Sequence, residues 1–247
     1  MKKVFFRFYE ELNDFLPSER QKVQFSYEYI LDTSVKDCIE SLGVPHSEID
    51  LILVNGQPVD FNYLMHEGDT VSVYPEFESF DITADTKVRD SSLREPKFVV
   101  DIQLGKLAKY LRMFGFDTLY NNRLTNYDII KLSLEQKRAI LTKSINLLKR
   151  KEIVRGYWLR SYYPQEQISE VLKRFDLKNK IKEFTRCIIC NSELHLIEKS
   201  EIIDTLPLKV IEQQNIFLFC PDCKKAYWKG THYNKMSFLI NTILSKI

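Results

Sequence analysis

Residues 97–115 read KFVVDIQLGKLAKYLRMFG, a short β-branched run that ends on Asp101 and passes at once into a helical pattern. Leu104, Leu107, Ala108, Leu111 and Phe114 recur at the i, i+3, i+4, i+7 spacing of one buried face, while Lys106, Lys109 and Arg112 line another. An acid at the C-terminal end of a strand is where open α/β sheets place chemistry. The stretch therefore predicts a strand, a carboxylate at its end and a helix with a cationic stripe.

Outward from this unit the alternation continues. FDTLY (116–120) reads as a second strand, NYDIIKLSLEQ (126–136) as a helix capped by Asn126, RAILT (138–142) as a third strand and INLLKR (145–150) as a further helix start. YWL and QEQISEVLKRF (165–175) carry the pattern on. Strands alternating with helices imply parallel pairing and a layered α/β core.

Upstream the pattern differs. Residues 4–9 and 23–27 read as strands, SVKDCIESLG (34–43) as a helix opened by Ser34 and closed by Gly43, and IDLILVNG (49–56) as a strand with a turn at Asn55-Gly56. TVSVYP (70–75) follows the Gly68-Asp69 turn as a last strand. Cys38 reads as a small buried helix residue. SFDITADTKVRDSSLRE (79–95) lacks apolar periodicity, so the expected division is a domain over 1–80, a linker over 81–95, an α/β domain over 96–183 and a cysteine module over 184–247.

Charge divides the chain in the same places. Residues 1–95 hold 9 Lys+Arg against 19 Asp+Glu, residues 96–186 hold 20 against 9, and residues 187–247 hold 7 against 6. A basic block hidden inside a net charge of +2 is the footprint of a polyanion partner, most often nucleic acid. Lys106, Lys109, Arg112 and Lys143 are the candidate backbone contacts; Tyr110 and Tyr120 read as packing ahead of base stacking. The 247 residues, 44% hydrophobic and 28% charged, are ordinarily globular. Arg7, Glu10 and Glu11 interrupt the start that a signal peptide needs, and no apolar run approaches membrane-spanning length.

Cys187-Ile-Ile-Cys190 and Cys220-Pro-Asp-Cys223 are two CxxC pairs with 29 residues between them. Each pair can wrap one face of a tetrahedral ion, so four thiolates holding a structural Zn²⁺ are expected, with two redox dithiols as the alternative. His195 and His232 are rival ligands of lower rank, since four sulfurs complete the shell. Free cysteines in such pairs favour a reducing, cytoplasmic location.

The first 80 residues, through GVPHSEIDLILVNGQPVDF and GDTVSVYP, resemble a ubiquitin-like β-grasp domain of the sulfur-carrier type. The last strand runs into PEFESFDI in place of a terminal Gly-Gly, so the resemblance implies a binding or docking module for a protein partner rather than a carrier. VVDIQLGKLAKYLRMFGFDTLY, RAILTKS, RCIICNSEL and CPDCKKAYWKGTH are similar to the Mut7-C RNase family, which implies a PIN-like nuclease fold ending in a zinc ribbon. That resemblance implies Mg²⁺- or Mn²⁺-dependent hydrolysis of RNA by clustered carboxylates, with Asp101 as principal ligand. The family's other acid positions fall on Asn126 and Ser144, which hold a hard dication far more weakly, so catalysis is expected to be impaired. Asp128, about 200° round the helix from Asn126, is a poor substitute, and Asp117 fits a Gly-aromatic-Asp step of the same family. The alternative expectation is a catalytically inactive, nuclease-derived RNA-binding or docking protein.

Overall fold

The computed structural model describes residues 1–30, 32–75 and 96–247; the linker expected over 81–95 lies outside them. In the N-terminal part, β1 (Lys2–Phe8) pairs antiparallel with β2 (Phe25–Tyr29), and α1 (Val35–Ser41) follows. Ser34 caps that helix by accepting from the Asp37 amide, and Gly43 closes it at a φ of +108°, as a left-handed helix end requires. β3 (Ile49–Val54) turns back on β4 (Gln57–Val59) through Asn55 and Gly56, both at positive φ, the geometry of a type I′ hairpin. β5 (Thr70–Pro75) then lies parallel to β1 and antiparallel to β3, giving the sheet order β2-β1-β5-β3-β4. This is the β-grasp, with Val4, Phe6, Phe8, Val35, Ile39 and Ile52 at its core. Cys38 is fully buried there, and burial pushes its thiol up to about 11, which suits an inert packing residue.

From residue 96 strands and helices alternate: β6 (Phe98–Val100), α2 (Gly105–Met113), β7 (Thr118–Leu119), α3 (Asn126–Gln136), β8 (Ala139–Thr142), α4 (Ile145–Leu148), β9 (Gly156–Trp158) and α5 (Pro164–Arg174). β6 pairs with β7 and β8 with β9, both in parallel, as the intervening helices demand. The last part holds β10 (His195–Ile197), two short helices α6 (Lys199–Ile202) and α7 (Leu208–Gln213), β11 (Phe217–Phe219), β12 (Ala226–Tyr227) and α8 (Thr231–Leu244). β10, β11 and β12 form an antiparallel ribbon over a small core of Ile202, Leu206 and Phe217.

By internal contacts the chain forms two units, Met1–Glu95 with Ile130–Trp158, and Pro96–Ile129 with Leu159–Ile247. In the first, the β-grasp grips the β8–α4–β9 segment through a polar turn. His46, Ser47 and Glu48 are all buried. His46 Nε2 donates to the Ile153 carbonyl at 2.8 Å, Ser47 Oγ donates to the Leu148 carbonyl at 3.0 Å, and Glu48 Oε1 accepts from the Trp158 amide at 2.5 Å. Lys149 Nζ donates to the Glu40 carbonyl at 3.0 Å, and the Phe15 and Trp158 rings lie 5.2 Å apart. Buried polar groups are tolerated because each has a partner.

In the second unit Phe98 of β6 meets Phe116 and Phe175 edge-on, with centroids 6.4 and 5.3 Å away. Residues 182–184 lie on the end of α2, where Lys182 N donates to the Phe114 carbonyl and Phe184 N to the Met113 carbonyl. Gly115, at a φ of +93°, permits this: a Cβ there would sit 2.1 Å from the Lys182 carbonyl oxygen.

Candidate functional site

Phe98, Val99 and Val100 are fully buried, and the chain leaves β6 at Asp101, itself 6% exposed. The Asp101 carbonyl accepts from the Leu104 amide at 2.9 Å, forming the single turn that leads into α2. Leu104, Leu107, Ala108, Leu111 and Phe114 are buried, which is the apolar face expected. Lys106 and Lys109 are exposed. Tyr120 packs across the start of the same helix, its hydroxyl donating to the Ile102 carbonyl at 3.1 Å. A Cβ on Gly105 would come within 2.6 Å of that hydroxyl, so the glycine makes room for the ring.

Arg112 departs from the expected cationic stripe. It is 2% exposed and donates from Nε to the Thr118 carbonyl at 2.9 Å and from Nη1 to the carbonyls of Ile189 at 2.6 Å and Ile188 at 3.3 Å. Burial lowers its pKa, and the neighbouring Cys187, Cys190 and Asp117 oppose that. A guanidinium is the one cation whose fork can serve several carbonyls while remaining charged in such a place.

The two uncharged residues at the expected acid positions are placed as follows. Asn126 is exposed and is the first residue of α3, not its cap. Thr125 is the cap: its Oγ1 accepts from the Asp128 amide at 3.2 Å, while Asp128 Oδ2 accepts from the Thr125 amide and hydroxyl at 2.8 and 2.7 Å. This capping box commits Asp128 to the helix end. Ser144 caps α4, its Oγ accepting from the Leu147 amide at 3.3 Å, and its own amide donates to Thr142 Oγ1 at 2.9 Å. Lys143 precedes it, half-buried.

α5 packs on α2 and α8, and the three border a groove of about 700 Å³. Lys106, Lys173 and Lys246 surround it with ammonium groups, and Tyr110 and Tyr163 supply rings. The acids there are Glu166 and Glu170, and Glu170 accepts from the Arg160 and Ser161 amides at 2.7 and 3.0 Å. Its lining thus carries three lysines against two glutamates. Lys173 and Lys246 were not visible as partners of Lys106, since nothing in their local pattern pairs residues so far apart in sequence.

Cys187, Cys190, Cys220 and Cys223 place their sulfurs within 4.8 Å of one another, and none is in a disulfide. Cys187 Sγ lies 3.5 Å from Cys223 Sγ and Cys190 Sγ 3.2 Å from Cys220 Sγ. Four sulfurs at this spacing fit the tetrahedral shell of a metal ion with no open position. Crowding splits their acidities: burial and the neighbouring thiols push Cys223 up to about 12, whereas Cys190, despite burial, is drawn down to about 6 by Ser192 and the other cysteines. A bound dication would hold all four as thiolates. His195 and His232 lie outside this cluster.

The first CxxC loop is tied to the α/β unit by two residues. One is Arg112. The other is Asn191, held at a φ of +81°, whose Oδ1 accepts from the Thr118 amide at 2.8 Å and whose Nδ2 donates to Asp117 Oδ1 at 2.8 Å. Asp117 thus meets a side-chain amide from the ribbon.

Residues 96–240 match the family model described as Mut7-C RNAse domain, and residues 1–81 the one described as Mut7-C ubiquitin. No curated protein and no solved structure matches the chain. No helix among the described residues is long and apolar enough to cross a membrane.

Proposed function

This chain belongs to the Mut7-C RNAse family, with a Mut7-C ubiquitin domain ahead of the nuclease domain, and from that membership we propose that it grips RNA and cleaves its phosphodiesters with Mg²⁺ or Mn²⁺, slowly. The observation that carries this reading is Asp101, an acid at the C-terminal end of a buried parallel strand, next to a helix that turns Lys106 and Lys109 outward. Asp101 is the metal-binding carboxylate, which would help activate water and steady charge on the phosphate. Asn126 and Ser144 offer neutral oxygen where relatives place acids, which weakens the grip on the ion. Lys106, Lys109 and Lys143 hold backbone phosphate. The four cysteines hold a structural Zn²⁺, which favours a reducing, cytoplasmic setting.

A second reading is favoured by one observation: Ser144 spends its hydroxyl on the cap of α4. In it the chain is an inactive nuclease that binds RNA, and the β-grasp, apart from its buried His46–Glu48 turn, recruits a protein partner. Labelled single-stranded and structured RNA with Mn²⁺ separates the two. Cleavage that disappears in Asp101→Asn supports the enzyme; salt-sensitive binding without cleavage in either protein supports the second reading. Neither binding nor cleavage would overturn both.

A further inference from the structure

Beside the ribbon lies a cavity of about 570 Å³ that nucleic-acid cleavage does not require. Its walls come from a single short run, AYWKGTHYNKM, together with Ile188 of the first CxxC loop. Tyr227, Trp228, His232 and Tyr233 line it, four flat rings around one space. The rings are held in place. Tyr227 Oη lies 3.0 Å from Cys187 Sγ, Trp228 meets Phe217 of the small core edge-on at 6.3 Å, and Tyr233 is braced by Phe184, whose ring centroid is 4.7 Å away. Gly230 lets the indole lie against the backbone, since a Cβ there would come within 2.9 Å of Trp228 Nε1.

We propose that this cavity receives one unstacked nucleobase of a bound RNA strand, stacked on Trp228, as a base-holding subsite separate from Asp101. Two features favour a base. The cavity is lined by four aromatic residues, and on an aromatic ring every nucleobase stacks whatever its identity. Cations border it: Lys235 lines the cavity and Lys229 stands with its ammonium 5.8 Å from the centroid of the lining Tyr233 ring, both exposed, which complements the phosphates flanking the base. An apolar peptide segment would gain nothing from that rim. Recognition of this kind requires single strands, because a paired base cannot leave its helix without losing stacking and pairing.

The inference rests on the RNA reading above, and its test separates the two. The zinc-loaded full chain carrying Asp101→Asn is titrated with a short single-stranded oligoribonucleotide and with the same strand made abasic, equal in charge. The normal strand should bind roughly tenfold more tightly. Thr231→Trp, which fills the cavity mouth, and Trp228→Leu should each abolish that preference while leaving zinc content and the salt dependence of binding intact. Independently of any variant, photo-crosslinked 4-thiouridine RNA should attach within residues 226–236. Equal affinity for the two strands, a preference that survives Thr231→Trp, or crosslinks confined elsewhere overturns the subsite. If cleavage by the unmodified chain persists in any of these cases, the reading of Asp101 stands without it. Displacement of the crosslink by an apolar peptide, with RNA affinity unchanged, would mark the cavity as a protein-docking site and also overturns it. Failure of both strands to bind removes subsite and RNA reading together.

Discussion

Arg112 Nη1 donates to the Ile189 carbonyl at 2.6 Å, so the helix that follows Asp101 holds the loop between the first two ribbon thiols. The ribbon is thereby part of the α/β unit's hydrogen bonding and not a bead on its end. Asn191 doubles the tie through the Thr118 amide and Asp117.

Arg112→Leu leaves the carbonyl of the fully buried Thr118 and that of Ile189 without their donor, at about 1–3 kcal/mol for the buried acceptor and less for the other. The expected loss is about 3 kcal/mol in denaturant unfolding, with a weaker hold on zinc in chelator competition. Arg112→Lys should recover little, since a single ammonium cannot span carbonyls that the guanidinium fork reaches together. Full stability in the lysine variant would show that charge alone matters there.

Asn191 does two things that substitutions can separate. Its φ of +81° is one that glycine adopts freely and alanine resists, while its amide bridges Thr118 and Asp117. Asn191→Gly should lose only the bridge, about 1–2 kcal/mol. Asn191→Ala should lose the bridge and add roughly 1 kcal/mol of backbone strain. Equal thermal midpoints for the two would mean that the backbone conformation costs nothing.

Much of this arrangement was legible in the chain. The period of Leu104, Leu107, Leu111 and Phe114 fixes a buried face because no other secondary structure aligns those positions. The paired CxxC motifs bring four sulfurs together because each loop is short enough to close on one ion. Arg112 was not legible. A cation three residues beyond Lys109 reads as solvent-facing, and its burial depends on carbonyls 76 and 77 residues downstream. The polar run His46-Ser47-Glu48 carries no local sign of its burial either, since its partners lie about a hundred residues away, at Leu148, Ile153 and Trp158. The cap of α3 is Thr125, one residue before Asn126, and Thr125 and Asp128 carry the spacing of a capping box.

His46 gives the first unit a pH dependence. Burial, aided by the charge of Lys36, holds its imidazole below the ordinary value of 6.5, while Glu40, 2.5 Å from Nδ1, and the Ile153 carbonyl oppose that shift. A histidine whose folded pKa is depressed binds its proton more readily when unfolded. Its stabilisation is therefore complete above 6.5 and is lost as pH falls through the lower folded value. His46→Gln keeps a donor for the Ile153 carbonyl and cannot titrate. The thermal midpoint of the unmodified chain should fall more steeply than the variant's between about pH 7 and pH 5.5. Parallel curves would remove His46 from the acid response.

Lys106 and Lys173 reach the same groove from α2 and α5, so their effects on RNA binding should share one signature. A lysine that neutralises a backbone phosphate releases a condensed counterion, and its loss lowers the slope of log affinity against log salt by about 1 at most, or roughly 0.7 on a single strand. Lys106→Ala and Lys173→Ala should each flatten that slope by this amount and weaken binding similarly for every RNA sequence tried. Lys109, exposed on α2 but not lining the groove, is the internal comparison, and Lys109→Ala should change the slope less. Arg112→Ala should leave it unchanged per folded molecule, because the buried guanidinium faces carbonyls and not solvent. A slope that drops for Arg112 and holds for Lys106 would place the strand somewhere other than the α2–α5–α8 groove.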